Sequence, residues 1–214
     1  MISTPDYYKA TNMAYITLQA LNITTLPITI TSAITRFPYL RIVPYSKFCK
    51  FHKINWGEFM STNVSERGFI YREGKKAIIY YNDREKTEIV RFTLAHELGH
   101  YMLRHVDENS ATDKEANCFA RNFLCPIPIT DHLRLNTVEE CCNVFDISPV
   151  AAEVVLDKRK LDRLNASNNA YQNIIRLFEV ESLTRESQLS RIPASFYRDF
   201  GEILYPDAPP PSFI

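Results

Sequence analysis

The chain has 214 residues, 45% of them hydrophobic, and its 25 basic and 25 acidic side chains cancel to a formal charge of zero. That size and composition predict one globular domain, or one with a small appendage, that buries a sizeable core. Neutrality argues against a global pull toward nucleic acid or anionic lipid, and no apolar run reaches the roughly eighteen residues of a membrane span.

Met1 to Ala20 lacks the basic-then-apolar layout of a secretion signal, so a cytoplasmic location is expected. The five cysteines, Cys49, Cys118, Cys125, Cys141 and Cys142, are odd in number and form no CxxC pair, which fits reduced, mostly buried thiols without a chemical role. In chain order, Tyr7 to Leu21 reads as a first helix that ends before the β-branched run Ile23 to Ile30 and Pro27. Leu40 to Tyr45 reads as a short strand. Gly68 to Arg72 and Ala77 to Tyr81 form the clearest hairpin, since aromatic and β-branched runs flank the turn Glu73-Gly74-Lys75.

The next segment is Phe92-Thr93-Leu94-Ala95-His96-Glu97-Leu98-Gly99-His100. Residues four apart on a helix lie one above the other, so the imidazoles of His96 and His100 converge on one metal ion, and zinc suits that donor set. Glu97 is then expected on the adjacent, solvent-facing side, where it accepts a proton from a water activated by the metal. Ile89, Phe92, Leu94, Ala95, Leu98, Tyr101, Met102 and Leu103 recur at helical spacing, and Asn82 with Glu85 has capping-box form, which sets the expected helix start. Gly99 costs about 1 kcal/mol relative to Ala inside a helix, which points to a close approach by another backbone.

A catalytic zinc takes three protein ligands, so one comes from elsewhere. His105, Asp107 and Glu108 sit too near the end of the motif helix to fold back easily. After a polar loop from Asp107 to Ala111, a second helix running from Asp113 to Leu124 and ending at Cys125-Pro126 can return antiparallel and offer a carboxylate. Asp113 and Asn117 share one face of it, whereas Glu115 lies about 200° around from Asp113, and both carboxylates remain candidates on spacing alone.

FTLAHELGHYMLRH followed by DKEANCFARNFLCP resembles the ImmA/IrrE family of zinc-dependent metallo-endopeptidases, over roughly residues 40 to 165. The resemblance implies an α+β, zincin-like fold, with a small, mostly antiparallel sheet packed on helices and a helix-turn-helix-like segment after it. It also implies cleavage of a helix-turn-helix repressor of phage, mobile-element or stress genes. The family's third ligand is a glutamate three residues before the alanine of the Ala-Asn pair. Here that position is Asp113, one methylene shorter, which requires the second helix to approach more closely. The resemblance therefore implies a Zn2+ site of His96, His100 and Asp113, with Glu97 as general base and Asn117 as a hydrogen-bond partner of the site; Glu115 is the alternative ligand.

The expected organisation is a peptidase domain over 1–128, a helical hairpin over 129–170, and a C-terminal helix with a Pro-rich tail over 171–214. In the hairpin, Thr137 to Val144 and Val150 to Leu164 flank the break Asp146-Ile147-Ser148-Pro149. Direct DNA binding by that pair is not expected, because Glu139, Glu140, Asp146, Glu153 and Asp157 would repel phosphates and only Lys158, Arg159, Lys160 and Arg163 offer a basic cluster. The expected partner is a protein substrate and no membrane. The rival to proteolysis is an anti-repressor that docks on the repressor and keeps zinc for structure.

Overall fold

The computed structural model describes residues 4–62, 65–107 and 109–178. Among them run α1 (Tyr7–Ala20), α2 (Ile30–Ile34), β1 (Leu40–Pro44), α3 (Tyr45–His52), α4 (Trp56–Met60), β2 (Gly68–Glu73), β3 (Lys76–Tyr81) and α5 (Thr87–Leu103). They continue with α6 (Ser110–Leu124), α7 (Ile127–His132), α8 (Val138–Phe145), α9 (Pro149–Asn165) and α10 (Asn168–Phe178). The class is α+β. No helix among the described residues is long and apolar enough to cross a membrane.

The strand order is β1-β3-β2. β2 pairs antiparallel with β3, as the hairpin predicts, but β1 pairs parallel with β3, so the sheet is mixed. Alternation along β3 sends Ala77, Ile79 and Tyr81 into the main core and Tyr80 into a second, aromatic cluster with Tyr45, Phe48 and Phe59. The sheet is thus covered on both faces, with β2 at its edge.

Sequence-encoded caps fix most of the long helices. Asp6 accepts from the Lys9 amide at the start of α1, Asn109 and Thr112 close a capping box on α6, Thr137 and Glu140 do so on α8, and Ser148 with Pro149 starts α9. The expected cap of the motif helix is different. α5 begins at Thr87 with Lys86 at the N-cap position, and Asn82 instead ends β3, accepting from the Arg84 amide and donating to the Glu66 carbonyl. An Asx turn has taken the residue that the capping pattern claimed. The short helices α2, α3, α4 and α7 have too few turns to show a periodicity, and none was expected from sequence. α10 covers Asn168–Phe178, while residues 179–214, the Pro-rich tail among them, lie outside the described residues.

α5 packs most extensively against α6, and also meets β2 and β3. Gly99 sits at the crossing: a Cβ there would lie 3.1 Å from Phe119 Cδ1 and 3.2 Å from both the Cα and carbonyl oxygen of Ala116. Two of those contacts are backbone, which a rotamer change does not relieve. Gly99→Ala is therefore expected to destabilise the protein by about 1–3 kcal/mol, although Ala is the better helix former by about 1 kcal/mol. Urea unfolding measures it, and a neutral or stabilising result would remove the close approach as the reason for this glycine.

Candidate metal centre

His96 and His100 stand one turn apart on α5, and Asp113 faces them from the first turn of α6. One donor atom from each of the three lies within 4.8 Å of the others, the one such His, Cys, Asp and Glu grouping among the described residues. His100 Nε2 is 3.0 Å from His96 Nε2 and 3.6 Å from Asp113 Oδ1. Two ligand atoms about 2.0–2.1 Å from a tetrahedral zinc lie about 3.3 Å apart, so these spacings bracket what the ion requires. Asn117 Oδ1 lies 2.9 Å from His96 Nδ1, where it accepts that nitrogen's proton and leaves the Nε2 lone pair facing the other donors.

Glu115, the alternative to Asp113, is turned away. Its Oε2 is 3.0 Å from His105 Nε2, its Oε1 accepts from the Asp6 amide at 2.9 Å, and the side chain is buried beneath α1. His105 comes back onto the helix end despite its nearness in sequence: its Nδ1 lies 3.0 Å from His100 Nδ1. The reversal is a Schellman turn, with Arg104 left-handed at φ 59° and the His105 amide bonded to the His100 carbonyl at 3.1 Å. Arg at a position that favours glycine hides this turn from sequence reasoning, which set His105 aside as too near the end of the motif helix to fold back.

The donors line a cleft of about 310 Å3, walled by Ser65, Gly68 and Phe69 on one side and by Phe92, Thr93 and Asn117 on the other. Glu97 opens into this cleft, but it is not on an open solvent face as the helical wheel suggested: it is 6% exposed, because the chain leading into β2 closes over that side of α5. Tyr71, Tyr80, Tyr81 and Tyr101 do not line the cleft.

Burial pushes the His96 pKa down, against the opposing pull of the Asn117 hydrogen bond and the Asp113 carboxylate. For His100, burial first, then His96, His105 and Arg72, depress it to about 3. Both shifts favour the neutral imidazole, the form that ligates a metal. The sign for stability follows from proton uptake: the unfolded chain binds a proton at His100 near pH 6.5 that the fold refuses until about pH 3, so stability falls as pH falls through this window. The metal-free protein should lose stability in urea between pH 6.5 and about 4.5, above the carboxylate range, and His100→Gln should flatten that dependence. A wild-type stability that stays level or rises on acidification would contradict the apolar, cation-crowded setting of this ring.

Residues 49–186 match the Peptidase_M78 family model, described as the IrrE N-terminal-like domain. A search of curated proteins returns no match.

Proposed function

Because the chain belongs to the Peptidase_M78 family, a family of metallopeptidases, we propose that it is a zinc-dependent endopeptidase acting on a helix-turn-helix repressor. The observation that carries this reading is the convergence of His96, His100 and Asp113 beside Glu97 in one cleft. A structural zinc site is closed by protein ligands and has no use for a general base, whereas here three ligands leave a position open and a carboxylate stands next to it.

Zinc held by His96, His100 and Asp113 would supply Lewis acidity, polarising the scissile carbonyl and making a water acidic enough to be deprotonated near neutral pH. Glu97 takes the proton of the attacking water and delivers it to the leaving amine nitrogen. Asn117 holds His96 in the tautomer that ligates. β2 runs along the sheet edge, with Gly68 and Phe69 in the cleft wall, so an extended substrate segment adds to the sheet by main-chain hydrogen bonds and carries one peptide bond past the metal.

Purified protein is expected to carry about one zinc per chain. Asp113→Ala should lose most of it on dialysis, measured by elemental analysis; retention at the wild-type level would remove Asp113 from the ligand set. Glu97→Gln keeps shape and metal but removes the proton acceptor, so cleavage of a genetically linked repressor should fall roughly 10²–10⁴-fold while binding survives. Co-expression of the repressor with each form, following its length and the reporter it controls, separates proteolysis from docking. A variant that relieves repression as well as wild type, with the repressor full length, assigns the protein to the docking class.

A further inference from the structure

The buried pair His105 and Glu115 lies behind the proposed metal ligands and links them to the start of α1 through three contacts of 2.9–3.0 Å. A carboxylate has no proton to give near neutral pH, so at 3.0 Å the His105 Nε2–H donates to Glu115 Oε2. On the metal reading His100 Nε2 is the ligating atom, so the proton of that ring sits on Nδ1 and is donated across 3.0 Å to His105 Nδ1, the nitrogen that Glu115 leaves free to accept. Nε2 is the atom that faces His96 and Asp113. We infer that His105 and Glu115 position His100 for metal binding, by dictating its tautomer and ring orientation through a relay of three hydrogen bonds that ends on the Asp6 amide at the N-cap of α1.

The inference rests on the metal reading of the cleft and deepens it. The end of the relay is fixed by the fold: Glu115 Oε1 accepts the Asp6 amide at 2.9 Å, while the Asp6 side chain caps α1 through the Lys9 amide at 2.8 Å. One residue therefore both starts the first helix and holds the carboxylate that orients a ligand ring more than ninety residues later. The two histidines of the motif are oriented by different means. His96 takes its tautomer from the exposed amide of Asn117, and His100 takes it from a buried imidazole and carboxylate. Only the second arrangement excludes water from the bond that fixes the ring.

Partners of this kind usually contribute about 10–100-fold to metal affinity. In Glu115→Gln the amide NH2 can donate to His105 Nε2, which moves the His105 proton to Nδ1 and turns the relay against His100. In His105→Phe the acceptor is lost outright. The test uses the full chain. Two-bond 15N–1H correlation spectra of the metal-free wild type should show His100 protonated on Nδ1 and His105 on Nε2, and zinc competition with a chromophoric chelator should show both variants weakened about 10–100-fold. Wild type with the His100 proton on Nε2 overturns the relay, as do folded variants that bind zinc within about twofold of wild type. Should neither variant fold, the wild-type tautomers decide. A wild type that binds no zinc at all removes the metal reading, and the relay's role with it, whereas zinc binding with the opposite tautomers sinks the relay alone.

Discussion

The centre depends on one steric constraint, the contact of α5 with α6 at Gly99. A methyl group at that residue would meet the Ala116 backbone at 3.2 Å, so only glycine lets the two helices come this close. The distance matters because Asp113, the proposed third ligand, has a short side chain. An aspartate reaches one methylene less far than a glutamate, and the approach of α6 makes up the difference, leaving Asp113 Oδ1 3.6 Å from His100 Nε2. Ala116 on α6 and Gly99 on α5 are thus as much a part of the proposed ligand geometry as the carboxylate itself. Between them, two small residues set how near the proposed donors of α5 and α6 stand.

The same helices are anchored at their far ends by buried charge. Arg91, 1% exposed on α5, pairs with Asp146 at 2.7 Å and donates to the carbonyls of Ile28 and Phe145, tying the motif helix to the segment before α2 and to the end of α8. Arg121 on α6 forks onto the buried Asp162 of α9 at 2.6 and 2.7 Å. Removing either partner would strand a desolvated charge, which costs far more than a surface pair is worth. Each ligand-bearing helix is held against a different later element, and their mutual placement does not rest on the glycine contact alone.

How much of this was legible depended on the range of the interaction. The hairpin, the i to i+4 histidines and the close approach at Gly99 are local or periodic properties, and each reads directly from residue types at fixed spacing. β3 was visible as one arm of the hairpin, but the parallel pairing of β1 was not, since parallel register has no turn to encode it. Asn82 carried a true capping signature and spent it on a turn. His105 was set aside as too near the end of the motif helix to fold back; Arg104 adopts a left-handed conformation unusual for its type, and that single backbone choice reverses the side chain. Glu115 was an open alternative to Asp113 until its long-range bonds to His105 and Asp6 committed it elsewhere.

The helix pair α8–α9 illustrates how charge in a sequence is consumed by a fold. Its basic cluster is what a nucleic-acid surface would need, yet Arg159 and Arg163 both donate to Asp131 of α7, at 2.6 and 2.8 Å, and Tyr171 of α10 donates to the same carboxylate at 2.7 Å. One aspartate thereby staples α9 to α7 and α10; burial, the largest single influence on its pKa, pushes it up, but Tyr171, Arg163 and Arg159 together hold it below the ordinary value. Lys158 pairs with the neighbouring Asp157. What α9 turns outward near its start is apolar instead: Val150 and Val154 border a trough of about 690 Å3 that also takes in Phe92 and Asn117 of the metal cleft. A phosphate backbone finds few uncommitted cations there. An apolar side chain of a polypeptide lying in the adjoining cleft finds a wall, and it is this continuity, more than the helical outline of the pair, that ties α9 to the chemistry of α5.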